Sequence, residues 1–139
     1  MKFFLKKHFY VENQLKTKAM QKKTLVLGAS NHPERYSFMA VKRLVAAGHG
    51  VYALGSYSGK INDIPITLEA QKWEDVDTVT IYLNKKNQEI YSDYLLDLQP
   101  RRVIFNPGSE NHTLKRRLES IGVEVLYACT LVMLSTGQY

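Results

Sequence analysis

The sequence predicts an α/β fold: a doubly wound parallel sheet of five strands with helices on both faces. Three observations predict it. Short, largely apolar runs alternate with stretches of helical apolar spacing from Lys23 onward. The first run, Thr24-Leu-Val-Leu27, opens into Gly28-Ala-Ser-Asn-His-Pro-Glu-Arg-Tyr-Ser37, a small and polar turn at the mouth of a helix. Glycines stand where strands and helices should end, at Gly28, Gly48, Gly55 and Gly122.

Each element follows from local chemistry. Thr24–Leu27 reads as a strand buried on both sides. Residues 37–47 read as a helix with Phe38, Val41, Leu44 and Val45 on one face and Lys42 and Arg43 off it, closed by Gly48. Val51–Leu54 is the second strand, closed by Gly55. Residues 56–71 are irregular, broken by Gly59, Asn62, Asp63 and Pro65, with Ile64–Thr67 as a short extended piece.

Residues 78–83 form the next strand, β-branched at 78–81. Residues 87–98 read as a helix with Ile90, Tyr91, Tyr94, Leu95 and Leu98 inward, and Pro100 follows its end. Arg102–Phe105 is a strand ended by Asn106-Pro107-Gly108. Residues 110–121 form a helix with Leu114, Leu118 and Ile121 inside, and residues 123–127 the last strand. The tail from Cys129 is apolar through Leu134 and reads as a short docked helix or turn. Leu131, Val132 and Leu134 there dock on their own subunit or on another, so a homodimer or protein partner stays open. Together this is a Rossmann-like sheet, with ligand chemistry expected at the carboxyl ends of its strands.

Composition sets bounds. The chain has 139 residues, one domain's worth, with an ordinary apolar content of 45%. A single cysteine rules out an intramolecular disulfide framework and fits a cytoplasmic location. No apolar run approaches the roughly 18 residues a membrane span needs, and no signal-peptide core follows the basic start. The net charge of +6 is uneven. Five lysines against Glu12 give residues 1–19 a charge of +4 and leave about +2 for the remainder. Residues 1–19 read as a basic extension, either upstream of a true start at Met20 or a loosely attached arm; a membrane-surface helix is the alternative there. The mildly basic body suits a small polyanion better than a duplex, and no nucleic-acid module is recognisable.

Three turns should gather at the ligand edge. In the first, Gly28 lets the backbone turn closely. Ser30 and Asn31 offer polar groups, Pro33 directs the chain into the helix, and Arg35 can pair with a phosphate. A plain turn with a solvated arginine is the alternative. In the second, Gly55-Ser56-Tyr57-Ser58-Gly59-Lys60, the strand end lacks the acid that NAD ribose recognition uses; no carboxylate occurs before Asp63. That disfavours NAD and tolerates a phosphorylated ribose, with Lys60 a candidate cation. The third edge joins Tyr82-Leu83-Asn84-Lys85 to Asn106-Pro107-Gly108-Ser109, where Leu83 is a candidate to pack on a base. The G-x-G-x-x-G fingerprint is absent.

Catalytic groupings are poor. Among His8, His32, His49 and His112 only His32 falls in a candidate turn, and no acid partner for it is evident. Cys/His metal spacing is absent. Cys129 stands alone and reads as structural.

The order of Gly28-Ala-Ser-Asn-His-Pro-Glu-Arg-Tyr36, Ala47-Gly48-His49, Phe105-Asn-Pro-Gly-Ser-Glu110 and Ala128-Cys129-Thr130 resembles the small stand-alone CoA-binding proteins. That family is related to the CoA-binding domain of the succinyl-CoA synthetase alpha subunit, and the resemblance runs over residues 22–139. It implies a Rossmann-like sheet that binds coenzyme A or an acyl-CoA, without an established reaction. It also implies that Ala29, Ser30, Asn31, Arg35, Tyr36 and Ser37 hold the pyrophosphate side, and that Ser56 and Tyr57 lie near the phosphorylated ribose. Leu83, Asn84 and Lys85 would flank adenine or pantetheine, and Asn106 and Pro107 would close the edge. The chain departs from many relatives at Gly55-Ser56, where they carry Asn-Pro, and at Leu83-Asn84, where they carry a Pro-Pro type turn. The synthetase phosphohistidine has no counterpart, so ligase activity is not implied. An NADP-binding enzyme or redox sensor, and an interaction module without a ligand, are the competing readings.

Overall fold

The computed structural model describes residues 21–139. The expected N-terminal extension and the start at Met20 lie outside the described residues.

The chain runs β1 (Thr24–Leu27), α1 (Tyr36–Ala46), β2 (Val51–Leu54), β3 (Lys60–Ile61), β4 (Ile64–Thr67) and β5 (Thr78–Ile81). It continues through α2 (Lys85–Gln88), a 3-10 turn (Glu89–Tyr91), α3 (Ser92–Leu98), β6 (Arg102–Phe105), α4 (His112–Ser120), β7 (Glu124–Tyr127) and α5 (Thr130–Ser135). The sheet has seven strands in the order β3-β4-β2-β1-β5-β6-β7, parallel except at the β3–β4 pair. Its parallel part has the order of doubly wound nucleotide-binding sheets, with the switch point between β1 and β5.

Seven strands replace the five expected. The two extra ones come from the segment read as irregular. Asn62 adopts a left-handed φ of 54° and turns β3 back on β4. β4 then pairs with β2 through Ala53↔Ile66 and Leu54↔Thr67. β4 is the expected extended piece at 64–67, while the two-residue β3 shows no periodicity; Ile61 and Ile66 are buried beside α1.

Strand alternation divides the core between two faces. Leu25, Leu27, Val79, Ile81, Val103 and Phe105 pack with Leu95 of α3 and Leu114 and Leu118 of α4. Val26, Val51 and Ala53 pack with Val41 and Leu44 of α1. The helix at 37–47 therefore lies one residue from its expected bounds, with Phe38 and Val45 half-buried at its margin.

Two expected core residues face outward. Ile90 is 81% exposed and Ile121 44% exposed. The expected helix at 87–98 is interrupted by the 3-10 turn, which shifts the angular register and carries Ile90 away from the sheet. The buried residue there is polar Gln88. Ile121 lies past α4, where the chain turns back through the bonds of Gly122 N–H to Glu119 O and Val123 N–H to Leu118 O.

The tail docks as a short helix, but through Leu131, Met133 and Leu134 and not through Val132, which was expected to dock. Leu131 and Met133 of α5 are buried while Val132 is exposed. Tyr139 closes on the α1 face. Its hydroxyl bonds with Thr24 Oγ1, its carbonyl accepts from Lys22 Nζ at 2.6 Å, and the Arg102 guanidinium lies 4.5 Å from its ring centre.

At the amino edge of the sheet, Asp77 accepts from Arg101 Nε at 2.8 Å, Arg101 Nη2 at 3.0 Å and Thr78 Oγ1 at 2.6 Å. Burial alone would push this carboxyl up, but these donors hold it below the usual carboxylate value. A depressed folded pKa gives stability that is present above the unfolded value and lost as pH falls through the folded one. Urea unfolding across a series from about pH 5 to pH 2 should therefore show a smaller acid loss in Asp77→Asn than in the wild type.

Candidate functional site

The carboxyl ends of β1 and β5 open on a cavity of about 520 Å³. Its first wall is the β1–α1 turn. Gly28 and Ala29 both donate to the Leu54 carbonyl, at 2.9 and 3.0 Å. Gly28 reaches this position at φ 92°, a conformation that disfavours a side chain. A Cβ on Gly55 would stand 2.2 Å from the Ala29 carbonyl oxygen, so only glycine lets the two strand ends approach this closely. Ser30 Oγ accepts from His32 N–H at 3.1 Å and tightens the turn.

α1 begins without a side-chain cap. Its N-cap residue is Arg35, whose side chain makes no cap bond to the first turn, and no acid stands in that turn. The first amides of an eleven-residue helix are thus left to solvent or an anion, with Tyr36 and Ser37 on the cavity lining. Arg35 lines the same cavity and adds a full positive charge.

The opposite wall combines the turn after β5 with the turn after β6. Tyr82, Leu83, Asn84 and Asn87 come from the former, and Pro107, Gly108 and Ser109 from the latter. Burial pushes the Tyr82 phenol up to about 12, so it stays protonated near neutral pH. The β2–β3 loop supplies Ser56 and the exposed Tyr57 at the rim. Its Gly59 lies against the Asn31 side chain, which ties this loop to the first turn. No Asp or Glu lines the cavity. Glu110 stands beside it and accepts from Gly108 N–H at 2.6 Å.

Of the residues that the family resemblance assigns to the ligand, all but Lys85 and Asn106 line this cavity, and Lys60, the candidate cation, lies outside the lining. Asn106 is buried and holds structure: its Nδ2 donates to Thr80 Oγ1 at 2.7 Å and Ile81 O at 3.0 Å, and its Oδ1 accepts from Thr130 N–H at 2.8 Å. It clasps β5, β6 and the start of α5 together. Lys85 opens α2 outside the lining. The lining adds His32, Tyr82, Asn87, Gly108 and Ser109. Three of these five, His32, Tyr82 and Gly108, adjoin predicted ligand residues, and Ser109 follows Gly108; Asn87 has no neighbour among them, and its backbone N–H is held by the Asn84 side chain that caps α2.

His32 Nδ1 does have an acid neighbour, Glu34 Oε1, at 3.9 Å, with both side chains well exposed. Such a loose, solvated pair does little to orient a base. His49 sits at the far, amino edge of the sheet and accepts from Lys22 N–H at 2.9 Å. Burial, together with Lys22, lowers its pKa. Half-buried Cys129 is the N-cap residue of α5. Among the described residues, no three His, Cys, Asp or Glu side chains converge to hold a metal.

Comparison with known proteins places the chain in a family. The family model described as a CoA binding domain matches residues 22–135. A crystal structure of an uncharacterized protein is similar at 44% identity and a TM-score of 0.84, covering 86% of this chain and 98% of that one. A hypothetical protein from Pyrococcus horikoshii OT3 shares 18% identity at a TM-score of 0.76, covering 90% and 89% of the two chains, and shows the fold alone. A conserved hypothetical protein from Pyrococcus furiosus shares 25% identity at 0.70, covering 81% and 98%. No curated protein matches in sequence.

The strand-end junction makes a direct prediction. Gly55→Ala drives a Cβ into backbone and should cost about 2 kcal/mol in urea unfolding. Gly59→Ala, whose Cβ would meet the movable end of Asn31 at 2.7 Å, should cost less. Equal losses would show that the Ala29 contact is not the limiting one.

Proposed function

The chain belongs to the CoA binding domain family, and from that premise we propose that it binds coenzyme A or an acyl-CoA in the cavity between β1 and β5, as a carrier or sensor without a reaction of its own. The observation that carries this reading is the uncapped start of α1, with Arg35 as its N-cap residue, facing a cavity that no carboxylate lines. Backbone amides at a helix start, a guanidinium and the absence of competing negative charge suit a pyrophosphate. Coenzyme A carries about four negative charges near neutral pH.

In this reading Gly28, Ala29, Ser30, Asn31, Arg35, Tyr36 and Ser37 take the pyrophosphate side. Ser56 and Tyr57 lie at the phosphorylated ribose, and Leu83, Asn84 and Pro107 flank the rest of the ligand. The end of β2 presents Gly55 and Ser56 where an NAD site would present an acid. That chemistry disfavours NAD and tolerates a ligand bearing a ribose phosphate, and among dinucleotides it leaves NADP as the competitor. The weak His32–Glu34 pair supports the absence of a reaction. No helix among the described residues is long and apolar enough to cross a membrane.

Thermal unfolding with added ligand tests the proposal. Coenzyme A at 100 times its Kd should stabilise the protein by about 2.7 kcal/mol. Dephospho-CoA should act more weakly, and Arg35→Ala should weaken coenzyme A about tenfold while leaving the ligand-free melting point near that of the wild type. No response to millimolar coenzyme A would sink the reading, and a response to NADP in its place would move it to the competing dinucleotide.

A further inference from the structure

We infer that Gln88, which does not line the cavity, is a positioning residue that sets the cavity's second wall and with it the grip on the part of the ligand beyond the pyrophosphate. The inference rests on the coenzyme A reading. Gln88 is fully buried at the end of α2. Its Nε2 donates to Leu83 O at 2.8 Å, in the turn after β5, and to Ser109 O at 2.6 Å, in the turn after β6. Its Oε1 accepts from Asn111 Nδ2 at 2.9 Å, and Asn111 Oδ1 in turn caps α4 by accepting from Leu114 N–H at 3.1 Å. One amide thus joins the two turns that form the wall and ties both to a helix start.

No shorter or apolar side chain does this. Two carbonyls aimed at one point need two donors, and the neighbouring Asn111 amide needs an acceptor; a primary amide supplies both. An apolar residue of the same volume leaves these groups buried and unpaired, and the turns must part to find water. The phosphate cradle has its own support, the bonds of Gly28 and Ala29 to Leu54. Loss of Gln88 therefore loosens one wall and spares the other.

Amide hydrogen exchange and calorimetry on the full chain test this. In Gln88→Met, exchange at residues 83–87 and 108–109 should quicken while that at 28–30 stays as in the wild type, and the Kd for coenzyme A should rise about tenfold. Asn111→Asp keeps the cap acceptor and removes the donor to Oε1, so the Gln88 amide must turn to face the carboxylate. The turned amide no longer donates to Leu83 O or Ser109 O, so this variant should show the same exchange pattern and a comparable rise in Kd. Unchanged coenzyme A affinity in both variants, or equal loss of protection at 28–30, would overturn the inference and leave Gln88 a general stabiliser. A wild type that takes up no coenzyme A would remove the binding reading and the ligand role of Gln88 with it. The exchange pattern would still report whether Gln88 sets the wall.

Discussion

The close approach of two strand ends governs the geometry of this protein. The Leu54 carbonyl accepts from both Gly28 and Ala29, and the Ala29 carbonyl lies where a side chain on Gly55 would have to go. That contact turns the chain sharply off β1 and aims it into α1. The helix then starts with its free amides directed at the crevice between β1 and β5, and Arg35 takes the N-cap position that a serine or aspartate would otherwise fill. A cap side chain would have satisfied those amides internally. Its absence leaves a local positive field for a ligand to meet.

The other side of the crevice is built on different physics. Two buried carboxamides, Asn106 and Gln88, do by side-chain hydrogen bonds what Leu54 does by backbone ones. Asn106 clasps β5 to the start of α5, and Gln88 joins the two turns of the wall. Every polar atom of these two amides that is placed against a buried partner is satisfied, which is the condition under which a buried polar network rigidifies. The site therefore has a cradle set by chain geometry and a wall set by side-chain chemistry.

Much of this was legible from the residues. The apolar runs at 24–27, 51–54 and 102–105 became strands at those bounds because buried parallel strands leave a continuous apolar signature. The first turn was legible for a similar reason: Gly28, Ser30 and Arg35 are local choices that answer local needs. Ile90 was misread. Helical spacing counts Ile90 inward only if the helix is unbroken, and the 3-10 turn breaks it. Asn106, expected to close the ligand edge, is buried on three partners 24 to 26 residues away, a placement that no local pattern records. The extended piece at 64–67 became β4 at those bounds, whereas β3 escaped for lack of length, since a two-residue strand carries no period to read.

By itself the sequence determined the alternating α/β order, the two-sided burial of the central strands, the phosphate-suited first turn and the missing acid after β2. These are properties of short windows, where residue type and spacing act directly on the backbone. Tertiary structure alone decided that β4 joins β2, that Tyr139 returns to Lys22 and Arg102, and that Gln88 is buried between two turns. Such pairings depend on which distant groups are left unsatisfied when the layers close, and no local pattern records that.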